Sequence, residues 1–283
     1  MKKTLIALAA LGVVGTAAAE ATVYGRVDAG IKSENNAATV VSGVTGTPRI
    51  GFKGSEDLGG GLSASFGVET GFNNIAEAAT SLGDRGAFIG IGGSFGTVKI
   101  GSSLLTPTFF ATAATDAMGL PNYNPTESRM WGQGHENLRH DNAIQYDNNI
   151  AGVTVKVSYV PAGNNSNQAR TDLAAIYSNS GLTVALASHT DADRTTVAGV
   201  AYDMGVAKVT YNRATGTHTG TGMGVSAPMG AVTVGAALYE DADSQATVAH
   251  AAYALSKATG LNAYISSPKG GTSSFGVGLS HSF

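Results

Sequence analysis

Ser188 and His189, with Asp191 close behind, have the residue types of a nucleophilic site. Neighbours on a strand point to opposite faces, so this serine and histidine cannot converge without other help. Asp191 with Asp193, and Asp241 with Asp243, set carboxylates two apart in loops. Such pairs can hold Ca²⁺, although solvated loop tips are the simpler reading. Gly90-Ile91-Gly92-Gly93 falls in a strand and turn and opens no helix, so it is no nucleotide fingerprint. These residues predict no catalytic site, no cofactor and no metal centre.

A second set of charges is more telling. Arg26, Asp28, Arg49, Lys53, Glu69, Lys99 and Lys156 share a parity with Ser, Thr and Gly along their segments. Asp116, Glu127 and Glu136 come from one long segment, Ser102–Leu138, which also carries the single tryptophan, Trp131. Opposed charges across a narrow aqueous passage set a transverse field that orients polar solutes, and a charged constriction filters ions. The plainer alternative is a wide polar interior in which these side chains are merely solvated. Either way they need a frame.

The frame has a period of two. Val23, Val27, Ala29 and Ile31 take one parity, with Arg26 and Asp28 on the other; Ile50 and Phe52 oppose Arg49, Gly51 and Lys53. Leu62–Val68, Val98–Ile100 and Val153–Val157 alternate in the same way. Alternation marks half-buried strands, in a soluble sandwich or in a barrel with lipid outside and water inside. Connections alternate between short turns such as Asn148–Gly152, Asn179–Gly181 and Asp203–Gly205 and longer segments such as Lys32–Thr47, Asn73–Gly83 and Ser102–Leu138. That is the rhythm of an antiparallel transmembrane β-barrel of about sixteen strands. Ser102–Leu138 is too long for a plain connection and too aromatic for disorder. It is read as folding inside the barrel and narrowing it.

Aromatic positions separate barrel from sandwich. With the N-terminus in the periplasm, Phe72, Tyr159 and Tyr211 are expected to end outward-running strands. Tyr146, Tyr177, Tyr202 and Phe283 are expected to end returning ones, which makes a girdle at each membrane interface. Arg85 and Arg213 break the charge parity and are assigned to the outer rim, where a lipid-facing charge costs little.

Lys2, Lys3, the apolar run Leu5–Val14 and Ala17-Ala18-Ala19 read as a secretory signal peptide over 1–19, with a cut after Ala21 as the alternative. Residues 20–283 form the barrel. Only 13% of the chain is charged, against roughly 25% in soluble proteins, and there is no cysteine to staple an exported fold. Losing Lys2 and Lys3 leaves 15 Lys+Arg against 20 Asp+Glu, a net charge of −5, which argues against a nucleic-acid partner.

Val23-Tyr24-Gly25-Arg26-Val27-Asp28-Ala29-Gly30 resembles the opening strand of the general porins of beta-proteobacteria and Neisseria, and Arg49–Leu62 is similar to that family's most recognisable signature. Phe88–Ile91, Gly96–Gly101, Asp141–Asp147 and the ending Val277–Phe283 match further strands. The resemblance implies a homotrimeric, sixteen-stranded outer-membrane diffusion channel for ions and small hydrophilic solutes, whose third extracellular loop, Ser102–Leu138, folds inward. It also implies contact with outer-membrane lipid and lipopolysaccharide, and recognition of the C-terminal strand by the barrel-insertion machinery. Ser102 and Gln145 stand where the family often has arginine, so the charge balance is expected to be close to even and selectivity weak. The chain is short for the family, which implies reduced outer loops. A barrel acting mainly as an adhesin is the alternative; its elaboration belongs in long exposed loops, and most loops here are short.

Overall fold

A computed structural model describes residues 20–76, 81–119, 121–122, 138–163, 169–190 and 194–283. The expected signal peptide, Trp131, the acids Glu127 and Glu136, and Asp191 and Asp193 lie outside them. Of the described strands, β1–β19 in chain order, seventeen build a closed antiparallel barrel with sixteen wall positions, and the other two pair with each other apart from it. Successive wall strands pair edge to edge, and β1 (Glu20–Glu34) closes the ring against β19 (Ser274–Ser282), from Arg26↔Ser282 to Glu34↔Ser274. Phe283 finishes the seam: its N–H donates to Gly25 O at 3.1 Å and its carbonyl accepts from Gly25 N at 2.9 Å. Closure is required because an open edge would leave backbone groups unpaired in hydrocarbon.

One expected loop is largely wall. β2 (Ala37–Ser42) pairs with Ala29–Glu34 of β1, and β3 (Arg49–Gly59) pairs with Glu20–Arg26, so the two segments share one wall position. Lys32–Thr47 is therefore not a long connection. It turns at Asn35-Asn36, whose φ values of 52° and 59° make the primed hairpin turn that matches strand twist. Only Gly43–Pro48 leaves the wall, and it bends inward.

Strand faces follow the sequence alternation. In β13 (Thr195–Asp203), Thr195, Val197 and Ala201 are buried while Thr196, Ala198, Val200 and Tyr202 are exposed. The exposed side elsewhere is apolar: Ile89, Ile100, Leu186 and Leu279 are each more than half exposed. A soluble chain would bury such residues, each offering about 1.5–3 kcal/mol, so this face is built for lipid. No helix among the described residues is long and apolar enough to cross a membrane.

As well as at the Gly43–Pro48 bend, the interior is packed where the long segment touches the wall. Its helix α1 (Pro107–Ala114) lies against β11 (Arg170–Asn179), β12 (Leu182–Thr190) and β13. Thr106 caps it by accepting from Phe109 N at 3.3 Å, and Pro107 at the first turn sacrifices no helical hydrogen bond. Ala111 packs on Ala174, Ala185 and Ala187, small residues that let the helix approach the sheet. Gly199 does the same further on, because a Cβ there would collide with Thr115.

Candidate functional site

The long segment is held inward by a chain of polar anchors. At the N-terminus of α1, Thr108 donates its N–H and hydroxyl to the buried carboxylate of Asp172, the hydroxyl at 2.8 Å. The positive end of the helix favours that anion. At the other end Asn212 Nδ2 donates to Thr115 O at 3.1 Å, and Lys208 Nζ to Asp116 O at 3.1 Å. Tyr239 then donates to Asp116 Oδ2 at 2.8 Å, and Asn122 donates its N–H to Thr45 O at 3.1 Å and its amide to Gly43 O at 2.6 Å. Leaving β6 (Gly96–Ser102), the segment thus passes β11–β14 (Arg170–Gly216) and β16 (Val232–Asp241) and reaches the Gly43–Pro48 bend.

Between this segment and the opposite wall lies a cavity of about 790 Å³. Arg26, Arg49, Lys53, Arg85, Lys99, Arg139 and Lys156 line it, and among the described lining residues Glu69 and Asp147 are the only carboxylates. Five of these cations fall into two groups, while Arg26 pairs with Asp28 at 2.7 Å. Glu69 is shared by Arg49 at 3.5 Å and Arg85 at 2.9 Å, and Arg139 donates to Arg85 O and, at 2.8 Å, to Ser103 O. Asp147 is shared by Lys99 at 3.0 Å and Lys156 at 2.7 Å. Lys53 lies over the Tyr24 ring, 5.2 Å from its centroid.

Each carboxylate thus serves two cations, and each group keeps a positive excess. Burial, helped by the Arg85 charge, pulls the Arg139 guanidinium down to about 10, so it stays charged at neutral pH. Among the described residues that line the cavity, Lys and Arg outnumber the carboxylates; the balance expected to be near even also counts Glu127 and Glu136, which lie outside the described residues. One unit charge about 4 Å from an ion contributes roughly 1 kcal/mol even in bulk water, so a small excess matters within a screening length.

Arg26, Arg49, Lys53, Glu69, Lys99 and Lys156 are therefore brought together on one cavity, while Asp28 and Asp116 are not among its lining residues. Asp28 is 1% exposed and accepts from the N–H groups of Val44, Thr45 and Gly46, from Thr45 Oγ1 and from Arg26. Its parity points inward as expected, but the Gly43–Pro48 bend covers it. Asp116 is buried at the end of α1 and also accepts from Met118 N at 2.8 Å.

Two cations escaped the strand pattern. Arg85 faces the cavity, contrary to the outer-rim assignment, because it precedes β5 (Gly86–Gly93) and turns in to Glu69. Arg139 belongs to β8 (Arg139–His140), a two-residue strand that pairs with β7 (Leu104–Leu105) at the root of the long segment. Alternation carries no signal for either. Gln145 donates to Leu105 O at 3.0 Å and holds that root to the wall.

Of the aromatic residues, Tyr159, Tyr177, Tyr202, Tyr211 and Phe283 are exposed. Phe72 is half-buried just past β4 (Leu62–Gly71), and Tyr146 donates to Phe95 O in a short turn at 2.7 Å. Tyr211 sits fourth in β14 (Lys208–Gly216), opposite Val200 and Met223, and so stands within the wall rather than at a strand end. Ser188 is half-buried and bonded to Thr196, whereas His189 is buried on the other face, so the two do not converge. No group of three or more potential metal ligands occurs among the described residues.

The family model for Gram-negative porins matches residues 4–270. Major outer membrane protein P.IB of Neisseria gonorrhoeae is 33% identical over 193 residues, which cover 64% of this chain and 55% of that one. Outer membrane porin protein 32 of Delftia acidovorans is 36% identical over 160 residues, covering 52% of this chain and 45% of its own. The chain spans about half the length of the curated relatives it matches. Among solved structures, an anion-selective porin from Comamonas acidovorans superimposes with a TM-score of 0.77 at 22% identity, over 94% of this chain and the whole of that one. A porin of Rhodopseudomonas blastica gives 0.75 at 18%, over 93% of this chain.

Proposed function

Because the chain belongs to the Gram-negative porin family, we propose that it forms a water-filled outer-membrane channel for passive diffusion of ions and small hydrophilic solutes, with a preference for anions. The observation that carries this reading is the cavity, whose described lining residues include seven Lys and Arg side chains against two carboxylates. It lies between the barrel wall and an inward-anchored segment, where a solute crossing the lumen must pass. The Comamonas neighbour is described as anion-selective, which agrees with that charge pattern. The inward course of the longest inter-strand segment argues against a barrel that works mainly as an adhesin.

The barrel assembles as a homotrimer in contact with outer-membrane lipid and lipopolysaccharide, with its C-terminal strand presented to the insertion machinery. The lumen does no covalent chemistry. Arg26, Arg49, Lys53, Glu69, Lys99 and Lys156 line the constriction, and Asp28 and Asp116 shape it from behind; Glu127 and Glu136, expected at the same constriction, lie outside the described residues. Phe72, Tyr146, Tyr159, Tyr177, Tyr202 and Phe283 anchor the wall at the interfaces, without Tyr211. Purified protein in planar bilayers is expected to give stepwise conductance that rises in proportion to KCl concentration. Absence of such steps from folded protein would remove the channel reading.

A further inference from the structure

We infer that the constriction is a two-faced site for organic anions that carry an aromatic or other apolar body on a carboxylate. The inference rests on the lumen being the route of solute passage, as proposed above.

α1 is oriented in an unusual way for a helix beside water. Thr108, Thr112 and Thr115 are buried with Ala111 toward the wall, whereas Phe109 and Phe110 are left half-exposed and line the cavity. The buried hydroxyls are all satisfied: Thr108 donates to Asp172, Thr112 to Thr108 O at 3.1 Å, and Thr115 to Ala111 O at 3.1 Å. The anchors at both helix ends fix this rotation. Apolar surface left in water forgoes the free energy of burial, so two rings turned to an aqueous lumen represent a standing cost. A bound apolar group would recover it.

The rings form one surface, their centroids 5.6 Å apart and their planes at 78°, an edge-to-face pair. Leu105 and Met118 extend the apolar side along the same cavity. Lys156 Nζ stands 4.1 Å from the Phe110 centroid while it pairs with Asp147 at 2.7 Å. An ammonium and an aromatic face therefore meet at one point, with the arginines on the same cavity. Chloride uses the charged side alone, and a neutral aromatic uses the rings alone. An aromatic carboxylate uses both at once.

The test uses benzoate, acetate and benzyl alcohol as probes on the full-length folded protein. In planar bilayers with KCl, wild type is expected to show reduced single-channel current at about tenfold less benzoate than acetate, with benzyl alcohol without effect. F109S/F110S is expected to abolish the benzoate–acetate difference and to retain anion preference in KCl. Equilibrium dialysis of benzoate and acetate against detergent-solubilised protein reads the same site without conduction. A benzoate-to-acetate affinity ratio near one in wild type overturns the site whether or not the variant folds, and so does an unchanged ratio in folded F109S/F110S. A protein that conducts nothing yet binds benzoate about tenfold better removes the channel reading and keeps this one. An anion-selective channel indifferent to the ring does the reverse.

Discussion

At the scale of single residues, the site is governed by how carboxylates are shared. Glu69 holds two arginines and Asp147 two lysines, so loss of either acid frees two cations at once. Glu69→Gln is expected to increase anion preference, read as a larger reversal potential in a KCl gradient. Neutralising Arg49 and Lys53 together is expected to move that potential toward cations, since both line the cavity and Lys53 has only a ring contact among the described residues. Asp28 acts differently. It gathers three backbone N–H groups and a guanidinium in a dry position, and charge-assisted bonds of this kind are worth about 1.5–3 kcal/mol each. Asp28→Ala leaves the three backbone N–H groups without this acceptor and is expected to cost about 3 kcal/mol. The readout is a lower temperature for the heat-induced mobility shift on a denaturing gel.

Among the elements, the inward segment is positioned by close approach as much as by hydrogen bonds. A side chain at Gly199 must displace Thr115 and with it the end of α1. Gly199→Leu is expected to alter single-channel conductance and raise open-channel noise without loss of the folded barrel. An unchanged trace would mean that the helix end does not bound the ion path. The wall itself was largely legible in the sequence, because period-two alternation is local and each strand announces its faces. The inward segment was less so. Thr106-Pro107 is a readable helix start, yet the course of the chain beyond it depends on partners such as Asp172, Asn212 and Tyr239, far away in sequence. Parity gave the direction of Asp28 but not its cover, which comes from the bend at Val44–Gly46. Asn35-Asn36 hid a hairpin inside an apparent loop, and Arg85 and Arg139 sit outside any alternating run.

For the whole molecule, closure and charge are the two global properties. The ring is completed by the mutual backbone bonds of Phe283 and Gly25, so the last residue belongs to the barrel and is not a tail. Its ring also stands where a side chain at residue 25 would be, which ties the glycine to the aromatic. Deleting Phe283 is expected to reduce the yield of folded, heat-modifiable protein. Net charge, by contrast, predicts little: the chain has 20 acids against 17 Lys+Arg, and Asp84, Asp141 and Asp243 among those acids lie at turns. They are screened beyond about 8–10 Å at ordinary ionic strength, so the local cationic excess decides. The most direct measurement is the zero-current potential of the wild-type channel across a KCl gradient. Its sign is expected to show chloride as the more permeant ion; a potential of the opposite sign, or none, would contradict a constriction ruled by its arginines and lysines.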